Sequence, residues 1–119
     1  MILVDTSVWI DHFRSADPRL GDALEDGRVA CHPFVIGEVA LGHLRRRAEV
    51  IALMSELPRV PVADHPEVMA FIEANRLMAT GIGWVDSHLL CAASRAGIVI
   101  WSGDRRLRRH ASQLGLAFR

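Results

Sequence analysis

Four carboxylates stand in apolar stretches of this chain, and together they have the chemistry of a site for a hard divalent cation. Asp5 ends the run Ile2-Leu3-Val4, and Asp104 lies just beyond the run Ile98 to Trp101. Both runs read as buried strands, and the carboxyl ends of such strands line the crevice where open α/β sheets bind ligands. Aspartate there can also be a helix N-cap, an explanation of equal weight for either residue taken alone. Glu38 is the only polar side chain between Pro33 and Gly42. A helix apolar on every side is expected to be buried, and a carboxylate inside it must be paired, protonated or bound to a cation. A structural ion pair with one arginine is the plain alternative. Asp86 falls in the first turn of a predicted helix, in register with Leu89, Leu90 and Ala93, so it is expected to face the sheet. Attraction to the helix dipole would also place an acid there.

Taken together, the four acids need positive charge, because clustered carboxylates repel one another. Oxygen-only ligands suit Mg²⁺ or Mn²⁺, and no His-rich or Cys-rich spacing suggests zinc. The six histidines are scattered. His32 and His65 each precede a proline and are expected in turns, His88 leaves its helix on a different side from Asp86, and none is read as a ligand or general base. With no nucleophile-and-base signature, the expected chemistry is metal-activated water attacking a phosphodiester in line.

The elements that must position these acids alternate between strand and helix. Strands are expected at 2–4, 29–31 and 98–101, with a short last one at 116–118. Helices are expected after Asp5, over 18–26 with Gly27 as terminator, over 34–47 with helical signals continuing through 48–57, over 66–78 ended by Gly81 and Gly83, over 85–96 stopped by Gly97, and from Asp104 to about Gln113. Residues 58–63 carry two prolines and fit an edge strand or connector. This alternation favours a parallel α/β sheet covered on both faces. At 119 residues and 50% hydrophobic content the chain supports one core, so a single domain over 1–119 is expected.

Basic and acidic residues balance at 14 each, so attraction to a polyanion must be local. Every basic residue is arginine, which excludes lysine Schiff-base chemistry and lysine phosphate clamps. Cys31 and Cys91 lie far apart in apolar surroundings and read as buried thiols. No run reaches the ~18 apolar residues of a membrane span, and a cytoplasmic protein is expected.

The motifs Asp5-Thr6-Ser7, Ile36-Gly37-Glu38-Val39, Trp84-Val85-Asp86-Ser87-His88-Leu89-Leu90 and Trp101-Ser102-Gly103-Asp104-Arg105-Arg106-Leu107 are each weak alone. Their order and spacing, over almost the whole chain, resemble the PIN-domain family, specifically the VapC-type toxin ribonucleases of type II toxin–antitoxin systems. The resemblance implies a Rossmann-like three-layer α/β/α sandwich with a central parallel sheet. It also implies a Mg²⁺- or Mn²⁺-dependent endoribonuclease acting on RNA, with tRNA among the candidate targets, a VapB-type antitoxin that blocks the site, and a homodimer. By position, Asp5, Glu38, Asp86 and Asp104 match the family's acidic quartet, catalytic and metal-binding at once. Thr6 and Ser102 match hydroxyl positions that orient the carboxylates. The chain departs from the pattern at Ser102-Gly103, where relatives often carry threonine and then a charged or polar residue.

Arginines cluster at Arg45-Arg46-Arg47 and at Arg105, Arg106, Arg108 and Arg109, and could hold RNA phosphates, Arg45, Arg46, Arg105 and Arg106 being the named candidates. A solvated helix face or an antitoxin docking surface explains them as well. Trp9, Trp84 and Trp101 read as core or dimer residues rather than base-stacking platforms. Three rivals fit less well. A phosphoacceptor receiver domain needs a late lysine, a haloacid-dehalogenase-like phosphatase needs Asp-x-Asp where Ser7 stands, and a non-catalytic PIN-like binding module has little use for all four acids.

Overall fold

A computed structural model describes the whole chain, residues 1–119. The three apolar runs form one parallel sheet of β1 (Ile2–Val4), β2 (Val29–Ala30) and β3 (Val99–Trp101), in the order β2-β1-β3. Consecutive strand residues point to opposite faces, yet Ile2, Leu3 and Val4 are all buried. Helices must therefore cover the sheet on both sides. The chain adds β2 on one side of β1 and β3 on the other, so the winding reverses at β1, the topology that opens a crevice beyond the carboxyl ends of the strands.

Seven helices surround the sheet: α1 (Thr6–Arg14), α2 (Pro18–Glu25), α3 (Pro33–Ala40), α4 (Arg47–Glu56), α5 (His65–Ala74), α6 (Trp84–Ala96) and α7 (Arg105–Gln113). Punctuation follows local chemistry. Prolines start α2 and α3, Asp64 and Glu67 form a capping box on α5, and Gly97 closes α6 in the left-handed region at φ 67°. A cluster of 22 buried side chains fills the space between sheet and helices. No helix is long and apolar enough to cross a membrane.

The helix expected over 34–47 is two helices. α3 stops at Ala40, the chain turns through Gly42, and Arg46 takes a left-handed conformation (φ 53°) before α4 starts. The Arg47 guanidinium donates to the free carbonyl of Ala40 at 2.7 Å, satisfying the broken end. Helical propensity on both sides hid this break. The helix over 66–78 likewise ends early, at Ala74, because Arg76 turns the chain at φ 53°. Residues 58–63 act as a connector that touches the sheet only through a Cys31–Arg59 bridge, and the last segment contributes only an Ile100–Ala117 bridge.

Two expectations about burial also change. α3 is apolar on all sides without being enclosed: Gly37, Glu38 and Leu41 face solvent, Leu41 at 89% exposure. Glu38 is therefore an exposed carboxylate at the rim. Asp86 is half-buried rather than turned fully onto the sheet.

Leu107, fully buried under an otherwise arginine-covered α7, anchors the helix that Asp104 begins. Leu107→Ala should lower unfolding free energy by about 2–5 kcal/mol, read as a fall in urea midpoint at unchanged slope. A loss under about 1 kcal/mol would show that α7 is not held by this contact.

Candidate active site

Asp5 is the buried centre of the site. It follows β1, and its backbone N–H donates to the Trp101 carbonyl at 2.9 Å, which ties the ends of β1 and β3 together. Asp5 precedes α1, yet its side chain makes no capping bond. Instead, Ser7 Oγ and Ser102 Oγ both donate to Asp5 Oδ2, at 2.9 and 2.7 Å. Each hydroxyl accepts in turn from the turn after β3: Gly103 N–H donates to Ser7 at 2.9 Å and Asp104 N–H to Ser102 at 3.0 Å. Every hydroxyl has a donor below and an acceptor above, so one carboxylate oxygen is fixed and the turn carrying Asp104 is fixed with it. The other oxygen, Oδ1, takes no hydrogen bond and keeps contact with solvent.

The same division recurs around the rim. Thr6 Oγ1 donates to Glu38 Oε1 at 3.0 Å, leaving Oε2 free. Asp104 caps α7 by accepting from Leu107 N–H through Oδ1 at 2.9 Å, leaving Oδ2 free. The capping explanation thus holds for one oxygen of Asp104 and fails for Asp5. Asp86, in the first turn of α6, makes no side-chain hydrogen bond.

Electrostatics brings the four acids into one site. Asp86 is raised from 3.8 to about 6, first by partial burial and then by the charges of Asp5, Asp104 and Glu38. A helix N-terminus would pull that value down, so burial and repulsion outweigh the dipole. The arginine alternative fails as well. The ion pairs are Arg28–Asp26, Arg46–Glu49 and Arg95–Glu67, and none involves the four acids.

An oxygen-only donor set with several free carboxylate oxygens and no local counter-charge fits a hard divalent cation. No group of three acidic, histidine or cysteine side chains, however, is arranged to hold a metal ion as it stands.

Beneath Asp86 runs a column of rings that the sequence reading missed. His32, Phe34, His88, Trp84 and His65 pack in succession with centroids 4.7 to 5.2 Å apart. His32 caps α3 through Nδ1, which accepts from Phe34 N–H at 3.0 Å, so its place before Pro33 is a buried cap rather than an open turn. His32 Nε2 and His88 Nδ1 are buried without partners. Burial, then repulsion from His88, lowers His32 to about 4, and burial also lowers His88, so both rings are neutral. They support the first turn of α6 as apolar rings.

Ser7 was also missed as a site residue, although its position two residues beyond Asp5 carried the signal. Gly103 leaves room: a Cβ there would meet Ser7 Oγ at 3.4 Å, ordinary contact, so the departure from the usual pattern costs no packing. Trp9 is core, whereas Trp84 is 43% exposed and Trp101 is half-buried. The two free thiols are buried, and burial raises Cys31 to about 11.

The arginines separate. Arg105 is exposed at the start of α7, while Arg106 turns the other way and donates to the Gly81 carbonyl at 3.3 Å, packing where a side chain at Gly81 would sit. Arg45 is exposed and Arg46 reaches Glu49 at 4.0 Å. No arginine touches any of the four acids.

Residues 2–113 match the model of the PIN domain family. The chain is 44% identical over 118 residues to ribonuclease VapC32 of Mycobacterium tuberculosis, in the two strains CDC 1551 / Oshkosh and H37Rv, covering 98% of this chain and 95% of that protein. Its fold is similar to the crystal structure of PAE2754 from Pyrobaculum aerophilum, with a TM-score of 0.67, 18% identity, and coverage of 98% of this chain and 87% of that one.

Removing one repelling charge should stabilise the metal-free protein. Because Asp86 is raised in the folded state, its charged form costs stability above about pH 6, and the cost vanishes below its unfolded value near 3.8. Asp86→Asn should therefore melt higher than wild type at pH 7.5 in EDTA, by about 1 kcal/mol after discounting for solvent, a shift of roughly 4 °C. The difference should fade by about pH 4. The neutral histidines act oppositely in this window, but they are common to both proteins and cancel in the comparison. Equal melting at pH 7.5 would mean that the acids do not repel.

Proposed function

The chain belongs to the PIN-domain family, in its VapC branch, and from that premise we propose that it is the endoribonuclease toxin of a VapBC-type pair, dependent on Mg²⁺ or Mn²⁺. The observation that carries this reading is that the charges of Asp5, Asp104 and Glu38 all raise the proton affinity of Asp86, with no arginine or histidine ion-paired to any of the four. Asp5, Glu38, Asp86 and Asp104 would hold the cation, and the bound ion would activate water and offset charge growing on the phosphoryl oxygens. Water's oxygen adds to phosphorus as the bond to the departing ribose oxygen breaks, and the proton that water gives up balances the one the leaving oxygen takes.

The protein's own part is positional. Ser7 and Ser102 hold Asp5 at Oδ2 and direct its free oxygen outward, and Thr6 does the same for Glu38. Arg45, Arg46, Arg105 and Arg106 are the proposed RNA contacts, of which Arg105 is the most direct because it follows Asp104. The whole of 1–119 acts as one domain, cytoplasmic, a homodimer, and held inactive by a VapB-type antitoxin that covers the acids.

That no three of these side chains are arranged around a single ion position favours one second reading, a catalytically weak PIN-like module that binds RNA or a protein without cutting. One assay separates the two. Partner-free protein should cut structured RNA, tRNA included, with Mg²⁺ or Mn²⁺, stop in EDTA, and lose nearly all activity in Asp5→Asn while keeping its melting temperature. Undiminished cutting by that variant would place the chemistry elsewhere, and no cutting by wild type would favour the binding module.

Two finer outcomes follow from the geometry. Millimolar Mn²⁺ should raise the wild-type melting temperature through binding to the native state and leave Asp86→Asn almost unmoved. Ser102→Ala should lower kcat/KM by roughly 10- to 100-fold, the value of a hydrogen bond to a charged group, and Ser102→Thr should restore most of it.

A further inference from the structure

One groove of the molecule is lined by arginines and by no acid. It encloses about 840 Å³ and holds Arg19, Arg105, Arg108, Arg109 and Arg119. Arg105, Arg108 and Arg109 lie at helical spacing and share one face of α7, the face turned away from Arg106. Arg19 arrives from α2, and its guanidinium lies over the rings of Trp101 and Phe118, 4.9 and 5.1 Å from their centroids. None of the five takes part in an ion pair.

Mutual repulsion among five unpaired guanidinium groups is unfavourable in the free protein, which marks the groove as built for an anion. It also borders the acid site. Ser102, which fixes Asp5, lines it, and Arg105 follows Asp104. Resting on the nuclease reading above, we propose that this groove is the path of a single-stranded RNA flank: phosphates beyond the scissile one are held by Arg105, Arg108 and Arg109, and a base stacks on the plane of Arg19. A planar guanidinium backed by two aromatic rings is a preformed stacking surface, and single-stranded RNA combines exposed bases with a phosphate every residue. The pairing of basic residues with an aromatic floor favours that ligand over an acidic protein segment, which has no use for the stacked plane. Arg19 and Arg119 gave no signal in the sequence, because α2, α7 and the last residues meet only in the fold.

The test uses the full chain and a triple variant, Arg19→Ala with Arg108→Ala and Arg109→Ala, on two RNAs of one cleavage sequence. One ends next to the cut, and the other carries ten extra unpaired nucleotides on either side. Cleavage with Mn²⁺ should show KM for the long RNA raised at least tenfold, with kcat on both RNAs and KM for the short one within about twofold of wild type. Binding of the long RNA in EDTA should lose about 1.4 from the slope of log affinity against log salt, the expectation for the two phosphate contacts of Arg108 and Arg109 on a single strand. Arg19→Lys alone, which keeps charge but loses the plane, should recover the salt slope and not the affinity.

Equal loss on short and long RNA would overturn the groove while leaving the nuclease standing. Unchanged RNA binding, with weakened binding of an acidic peptide instead, would assign the groove to a protein partner and overturn the proposal too. If wild type cuts neither RNA, the nuclease reading itself fails, and the EDTA binding data still decide whether the groove takes RNA.

Discussion

Repulsion between like charges organises this molecule more than any single attraction does. A fold that brings Asp5, Glu38, Asp86 and Asp104 within electrostatic reach, and assigns none of its 14 arginines to them, holds a pocket that is unfavourable when empty. An ion of opposite charge bound there would remove that cost. The surrounding structure manages the cost by anchoring one oxygen of Asp5, Glu38 and Asp104 to a hydroxyl or a backbone N–H. Anchoring limits how far the side chains can swing apart, and it leaves the opposite oxygens available to an ion.

The sheet topology makes this possible with very little chain. Because β2 and β3 flank β1 on opposite sides, the turns after β1 and β3 emerge side by side, and Ser7 and Ser102 can bridge 95 residues of sequence. The two strand ends are joined three ways: by Asp5 N–H to the Trp101 carbonyl, by Ser102 to Asp5, and by Gly103 N–H to Ser7. Asp86 and Glu38 come instead from helices, and the ring column from His32 to Trp84 links the starts of α3 and α6. Two sets of contacts therefore position the acids, hydrogen bonds between the strand ends for Asp5 and Asp104 and ring packing near the start of α6 for Asp86.

The strands were legible because apolar runs bounded by an acid or a glycine have few alternatives, and β1 and the helix starts at Pro18, Trp84 and Arg105 lie within a residue or so of expectation. What failed was helix length. Left-handed backbone at Arg46, just before α4, and at Arg76, just after α5, accompanies the breaks that follow Ala40 and Ala74, and helix propensity does not encode it. Burial was legible only as an average. Glu38 was expected inside because its neighbours are apolar, and it lies outside because α3 packs one side and leaves Leu41 bare. The error in burial did not remove Glu38 from the site, since its charge reaches Asp86 from the rim. The ring column and Arg19 were illegible for one shared reason: their ring partners His88, Trp101 and Phe118 lie on other elements.

A net charge of zero conceals a division of labour in space. An acidic pocket repels a polyanion, so a nuclease of this design must draw its substrate by charges placed beside the acids rather than among them. The arginine face of α7 begins one residue after Asp104, and Asp104 itself caps that helix. One short turn thus carries both the acid proposed to hold the cation and the first arginine proposed to meet phosphate, and Ser102 bonds the backbone N–H of Asp104 within it. Arginines inside the pocket would pair with the carboxylates and compete with any cation for them. At one helical turn's remove they leave the acids unneutralised and still act within about a Debye length of them. Separation of the two signs, rather than an excess of either, would let a neutral protein of this design bind a cation and a polyanion at one edge of its sheet.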